Sequence, residues 1–443
     1  MRKISLLSGL FLLTALMTVS CGSSDELANG EEQPVEQEKT ETDNPAAKQD
    51  NTEDQQEIRN VSLTDAQKAA VAKNNVFAFD FFRTITGQEQ LKGKSIFVSP
   101  LSATYAMGML NSGSMGATSD EITSMLGFAN GSKSDINDLC KRLIEEAPQV
   151  DGKVTLRLAD CVVADQQLAL SEAYQKIVSG YYGAELFSKD FSDPTTVDFV
   201  NGWCSRQTEG MIDRIVTELK PSQKMVLMNA IYFKAPWSGK FRKEDTQREA
   251  FYPENGGSKT LPLMRRTEAT LYATNDLYKT VGLPYGNGHN WMMYVLLPNE
   301  GKSVGDVVAS ITADGWNKNK PVEAQLVDVR LPKFKMESDI TLNEVFSSLG
   351  AKKMFSQKEA DFSPMLSTPV PLWVDLVKQK AAIEVSEEGT EAAAVTAVMV
   401  ATTDVGGPEE SQVPVFCCNR PFVYLIQEVT SGAVFFIGTF MGE

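Results

Sequence analysis

Residues 22–60 cannot contribute to a packed core, and this confines any fold to the chain beyond them. The stretch holds 12 Asp or Glu, 3 Lys or Arg, and almost no aromatic or large aliphatic side chains. Such a segment buries too little apolar surface to offset the entropy of ordering its backbone. It reads as an acidic tether and carries much of the chain's formal net charge of -16. Ahead of it stand Arg2, Lys3, a mainly apolar run from Ile4 to Val19, and Ser20-Cys21-Gly22. That pattern predicts an export signal. The apolar run is short for a permanent span, which needs about 20 residues. The organisation expected is a signal peptide over 1–20, a tether over 21–60 and one folded body over 61–443.

The 443-residue chain is 42% apolar, enough to bury a large core. Its acidity argues against nucleic-acid binding through phosphate contacts and for a soluble body that stays monomeric. Thr64 and Gln67 fit a capping box, and Val71, Ala78, Phe81, Phe82 and Ile85 continue at helical spacing. Helices are predicted near a start at Pro100 and over 120–126, 134–146 and 170–181. Strands are predicted over 96–98, 154–163, 226–233, 291–297, 322–331, 372–377 and 381–385, with a closing hairpin of 423–426 and 434–440. No internal repeat divides the body, so a single α+β domain is expected.

Catalytic and cofactor chemistry finds little support. The one histidine, His289, lies among Gly and Asn residues in a predicted exposed turn. A Ser-His-Asp set would need it, and a three-histidine metal site is impossible. The G-x-S-x-G, H-E-x-x-H and Walker A patterns do not occur. No metal or cofactor is expected. Cys140, Cys161, Cys204, Cys417 and Cys418 are read as free thiols, mostly buried. The five scattered tryptophans are read as packing residues.

The stretch from Glu387 to Thr403, EEGTEAAAVTAVMVATT, carries conflicting local signals. Its three alanines favour helix, its later Val and Thr residues favour strand, and Gly389 gives a flexible start. As a strand, it would place Thr390, Ala392, Ala394, Thr396, Val398 and Val400 on one face. That face is small enough at its beginning to slide into a sheet. The residues alone leave helix, plain strand and switching segment open.

Here the chain resembles the serpin family. Glu387, Gly389, Thr390, Glu391, Ala392, Ala393, Ala394 and Thr396 are similar to the family's hinge. Phe97-Val98-Ser99-Pro100-Leu101-Ser102, Thr208-Glu209-Gly210-Met211-Ile212, Asn229 to Trp237, Leu331-Pro332-Lys333-Phe334 and Asn419-Arg420-Pro421-Phe422 resemble further family segments, in order. The resemblance covers about residues 66–443. It implies a serpin fold, with three β-sheets, about nine helices and an exposed reactive-centre loop. It also implies suicide inhibition of serine proteases, and sometimes of cysteine proteases, rather than catalysis. A protease attacks the loop and forms an acyl-enzyme. The freed hinge side then enters the main sheet as a new strand, about 50 Å long for fifteen residues.

Family spacing from Gly389 puts the scissile bond between Thr403 and Asp404, with Met399, Val400, Ala401 and Thr402 as alternatives. These small or medium uncharged residues suit an elastase- or subtilisin-like pocket. A Met399 cut would suit a chymotrypsin-like one. The resemblance also implies a shutter region at Ser99, Ser102 and Asn229. There the family's usual histidine is replaced by Gln379, which forms hydrogen bonds but does not titrate. Thr18-Val19-Ser20-Cys21 resembles a bacterial lipoprotein signal, which implies lipidation at Cys21. Ser23-Ser24-Asp25-Glu26 is similar to acidic tags that carry some lipoproteins to the outer cell face. The expected location is therefore the outer membrane, reached only through the lipid anchor.

Overall fold

The computed structural model describes residues 58–128, 132–220, 222–390 and 413–442. The predicted capping box forms. Thr64 accepts from the Gln67 backbone N–H, and the Gln67 side chain accepts from the Thr64 N–H, opening α1 (Asp65–Thr86). The apolar face of α1, with Val71, Ala78, Phe81, Phe82 and Ile85, is buried. After β1 (Ile96–Val98), Ser99 caps α2 (Pro100–Ser112), with Pro100 in the first turn where its missing N–H costs nothing. Then come α3 (Gly116–Met125), α4 (Lys133–Glu146), β2 (Thr155–Asp165) and α5 (Glu172–Tyr182). Next are β3 (Glu185–Lys189), α6 (Thr195–Gln207) and β4 (Met225–Pro236).

A mostly β stretch succeeds it, with β5 (Gln247–Phe251), β6 (Lys259–Thr274), β7 (Tyr278–Tyr285) and β8 (Trp291–Pro298). Two short helices, α7 (Val304–Ser310) and α8 (Ala313–Asn319), lead to β9 (Ala324–Pro332) and β10 (Phe334–Thr341). After α9 (Asn343–Ser348) come β11 (Lys378–Ser386), β12 (Gly389–Thr390) and β13 (Val415–Cys417). The predicted hairpin of β14 (Phe422–Glu428) and β15 (Val434–Phe440) closes the chain, and every residue of its strands is buried.

Among the described residues, the strands form two hydrogen-bonded networks. One has six strands in the order β10-β11-β12-β4-β2-β3. The other runs β1-β15-β14-β8-β7-β6-β9-β13, with β5 on β6. The three sheets implied by the resemblance appear as two networks because β6 belongs to two groups of strands. Leu263 to Leu271 of β6 pair with β9, and Leu271 to Thr274 pair with β7. Nine α-helices surround these sheets among the described residues. The two networks meet at a buried aromatic cluster. The Phe233 ring of β4 lies 5.3 Å from Tyr285, 5.2 Å from Trp291 and 6.1 Å from Phe436.

One predicted strand is absent. Residues 372–377 form neither helix nor strand. Pro369 and Pro371 remove backbone donors just upstream. The segment is tied down by scattered contacts instead, the Val377 N–H donating to the Asn343 side chain at 2.8 Å and the Val374 N–H to the Met354 carbonyl at 2.8 Å. His289 lies in an exposed turn at φ 55°. Trp203, Trp237, Trp291 and Trp316 are buried, while Trp373 is half-buried. Four of the five described cysteines are buried, Cys417 is half-buried, and all five are free thiols.

Candidate functional site

The six-stranded sheet is interrupted along most of its length. On one side β4 pairs with β2 through Met225 to Lys234. Among the described residues its other edge pairs only at Ala235 and Pro236, with β12. β11 pairs with β10 from Lys378 to Val385, and its opposite edge pairs only at Val385 and Ser386. Among the described residues the facing edges of β4 and β11 therefore have no partner strand over the rest of their length, the arrangement that most readily accepts another strand. A groove of about 630 Å³ lies between them. Ala103 and Met107 of α2 line it from the core side, and Ile215 and Leu219 line it from the segment after α6.

β12 closes one end of this groove, and its two residues are fixed from every side. Gly389 has φ 147°, and a Cβ there would lie 2.1 Å from the Ala235 carbonyl oxygen, so only glycine fits. Thr390 is buried between Val385 and Ala235, with its hydroxyl 2.6 Å from the Tyr285 hydroxyl. The Tyr285 ring stacks on Trp237 at 4.4 Å. Trp237 then holds the turn before β12. Its ring N–H donates to the Ser386 carbonyl and its backbone N–H to the Glu388 carbonyl, both at 2.9 Å.

The two carboxylates of the turn are clamped by lysines. Glu387 is buried and receives Lys333 at 2.8 Å and the Thr246 hydroxyl at 2.9 Å. Burial works to raise its pKa, but hydrogen bonds from Lys333, the backbone and Thr246 outweigh burial and hold the carboxyl below its ordinary value. Glu388 binds Lys240 at 2.8 Å and Lys243 at 3.3 Å, and the Lys240 hydrogen bond leads in lowering its pKa. The expected hinge thus begins inside the sheet rather than in an exposed loop. Glu391, Ala392, Ala393, Ala394 and Thr396, the expected scissile residues Thr403 and Asp404, the alternatives Met399 to Thr402, and Cys21 lie outside the described residues.

Ser99, Ser102, Asn229 and Gln379 all line the groove. Gln379 and Ser99 bind reciprocally. The Ser99 N–H donates to Gln379 Oε1 at 3.0 Å, and Gln379 Nε2 donates to the Ser99 carbonyl at 2.8 Å. The Ser99 hydroxyl donates to the Phe435 carbonyl at 2.8 Å and accepts from the Ser102 N–H at 3.1 Å. This fastens β11, α2 and β15 together at the groove's mid-point. Asn229 is not part of that cluster and donates instead to Asp160 at 2.9 Å. Sequence reasoning did not single out Asp160, and it gave Lys333 and Tyr285 no role at the hinge. Their partners lie far away along the chain, and no local pattern marks them.

Residues 72–442 match the family profile described as "Serpin (serine protease inhibitor)". That match spans most of the chain. The chain belongs to the serpin family. This serpin is 34% identical over 377 residues to Iripin-2 of Ixodes ricinus, covering 82% of this chain and 91% of that protein. Its structure is similar to the native state of Tengpin, a thermophilic serpin. The TM-score is 0.76 at 27% identity, covering 87% of this chain and 96% of the other. It is also similar to human thyroxine-binding globulin complexed with thyroxine. There the TM-score is 0.75 at 26% identity, with 84% and 98% covered. The family is described as one of protease inhibitors rather than of enzymes.

Proposed function

We propose that this serpin traps serine endopeptidases of elastase- or subtilisin-like specificity by acyl-enzyme formation followed by strand insertion. The observation that carries the reading is the open groove between β4 and β11, with Gly389 and Thr390 already paired at one end. Their register can be continued along the chain. Gly389 faces Pro236, and Thr390 faces Ala235 and Val385. One-for-one continuation puts Ala392 beside Phe233 and Ile383, then Ala394 beside Ile231 and Ala381. Thr396 comes to lie between Asn229 and Gln379, a polar residue between two polar ones. Val398 and Val400 come next, beside Leu227 and Met225. In this way small side chains enter first and larger apolar ones meet apolar neighbours.

Cleavage frees the segment to fill the groove, and the acylated protease is carried with it. Displacement of the reacting groups then stalls deacylation, because hydrolysis depends on their exact placement. The loop from Gly389 to Val415 has no Lys or Arg, which favours a small apolar specificity pocket. A chymotrypsin-like cut at Met399 and cysteine proteases are secondary targets. Incubation with pancreatic elastase or subtilisin should give a complex that survives boiling in detergent, with trypsin giving none. Mass spectrometry of the released C-terminal peptide should place the cut between Met399 and Asp404. A second reading, a non-inhibitory binding protein or chaperone, draws on the likeness to thyroxine-binding globulin. Clean cleavage with no complex would select it.

The same proposal places this serpin as a monomer on a bacterial outer membrane, held by acyl chains on Cys21 and a tether reaching to about residue 60. Its support is the export-type start, the lipoprotein-like Thr18-Val19-Ser20-Cys21 and the acidity of residues 22–60. Among the described residues no helix is long and apolar enough to cross a membrane. Intact-mass measurement of the mature protein should show Cys21 as its first residue, carrying acyl chains. An unmodified cysteine there would contradict the anchor.

A further inference from the structure

Asp160 of β2 stands directly opposite Asn229 of β4 in the antiparallel register. Facing residues of such a pair share one side of the sheet. The Asn229 amide donates to one Asp160 oxygen at 2.9 Å. The other Asp160 oxygen and the Asn229 amide oxygen are both buried without a hydrogen-bond partner. Two unsatisfied acceptors on one facing pair are costly. A single proton on Asp160 removes the conflict, because the carboxyl O–H then donates to the amide oxygen while the N–H bond is kept.

The surroundings favour that proton. The titratable groups close enough to feel Asp160 are Tyr105 of α2, Cys140 of α4, Tyr182 of α5 and Cys161 of β2 itself. None supplies positive charge. Glu185 of β3 acts on Cys161 and adds only more acidity. Gln379 of β11, the other side chain facing the mid-groove, is neutral. Burial pushes the Asp160 carboxyl up to about 7, opposed only by the Asn229 hydrogen bond.

Asn229 lines the groove. Asp160 and the Asn229 amide oxygen are already buried, and a strand entering there fills the solvent space beside the pair with protein, which disfavours the charged carboxylate further and raises its pKa in the filled form. A neutral acid tolerates this, and an ionised one loses solvation uncompensated, because the lysines lining the groove face other carboxylates, Lys224 that of Asp165 and Lys378 and Lys380 that of Asp339. We propose that Asp160 is a proton switch on groove filling: protonated, it pairs reciprocally with Asn229 and permits insertion; ionised, it opposes it. The inference rests on the reading of the groove as a strand acceptor. The sign comes from linkage. A folded-state carboxyl raised above its ordinary value binds more protons than in the unfolded chain. Its contribution to stability therefore falls as pH rises from about 4 to about 7.

The test uses the full chain and Asp160→Asn, which preserves the shape of the pair and both hydrogen bonds. Infrared difference spectra should show a carboxylic-acid C=O band in the wild type at pH 6. The band should be gone at pH 8.5 and missing from the variant at both. Melting temperatures of intact and loop-nicked protein, measured from pH 5.5 to 8.5, supply the second arm. The gap between the two forms should widen on acidification in the wild type and stay constant in Asp160→Asn. Absence of the band at pH 6, or a wild-type gap that ignores pH, overturns the switch alone. A nicked form no more stable than the intact one at any pH removes the strand-acceptor reading and the switch with it.

Discussion

Thr390→Arg should turn this serpin from a trap into a substrate. Thr390 is enclosed by Val385, Ala235 and the Tyr285 hydroxyl, with no room or counter-charge for a guanidinium. An arginine there is expelled from the sheet in the uncut form, and bringing it back on insertion buries an unpaired charge, which costs several kcal/mol. If about 3 kcal/mol of that cost appears in the insertion barrier, insertion slows by roughly 100-fold. Deacylation is untouched, because the substituted residue lies well before every candidate scissile bond. The protease then completes hydrolysis before it can be displaced. Gel analysis with elastase should show cleaved serpin in place of the detergent-stable complex. Thr390→Ser, which keeps a small hydroxyl, should still trap. Full trapping by the arginine variant would mean that insertion at this point is not the mechanism.

The fold was legible wherever local chemistry and tertiary packing agree. Thr64 and Gln67 cap a helix because they need only each other. The strands of the closing hairpin were visible because they are apolar throughout. Leu372 to Val377 misled because β-favouring residues there come after two prolines and are bound by Asn343 rather than by a sheet. The hinge was ambiguous for a different reason. Alanine-rich sequence carries no information about the edges it would meet, and the gap between β4 and β11 is assembled only by the fold. Gln379 stood out in the sequence only by its departure from a family habit. Its bidentate grip on the Ser99 backbone needed coordinates. Lys333 and Glu387 meet between two strand connections, and Asp160 and Asn229 across two strands, and no spacing along the chain announces either pair.

The second large effect concerns the gain in stability on filling the groove. Continuation of the register from Thr390 to Val400 would add a strand bonded on both sides to edges that have no partner strand among the described residues. Each net backbone hydrogen bond contributes on the order of 1 kcal/mol. Burial of Val398 and Val400 contributes about 2 kcal/mol each. A total near 10 kcal/mol corresponds to a rise in melting temperature of about 12 °C in a domain of this size. The uncut protein is then a kinetically held form with a lower-energy arrangement available once its loop is severed.

Melting curves of the uncut protein and of protein nicked within residues 391–412 test this directly. Retention of the folded body with an upward shift of about 12 °C on nicking is the expected result. Coincident melting of the two forms would show that no folding energy is held in reserve, and the trapping mechanism would have no source of work.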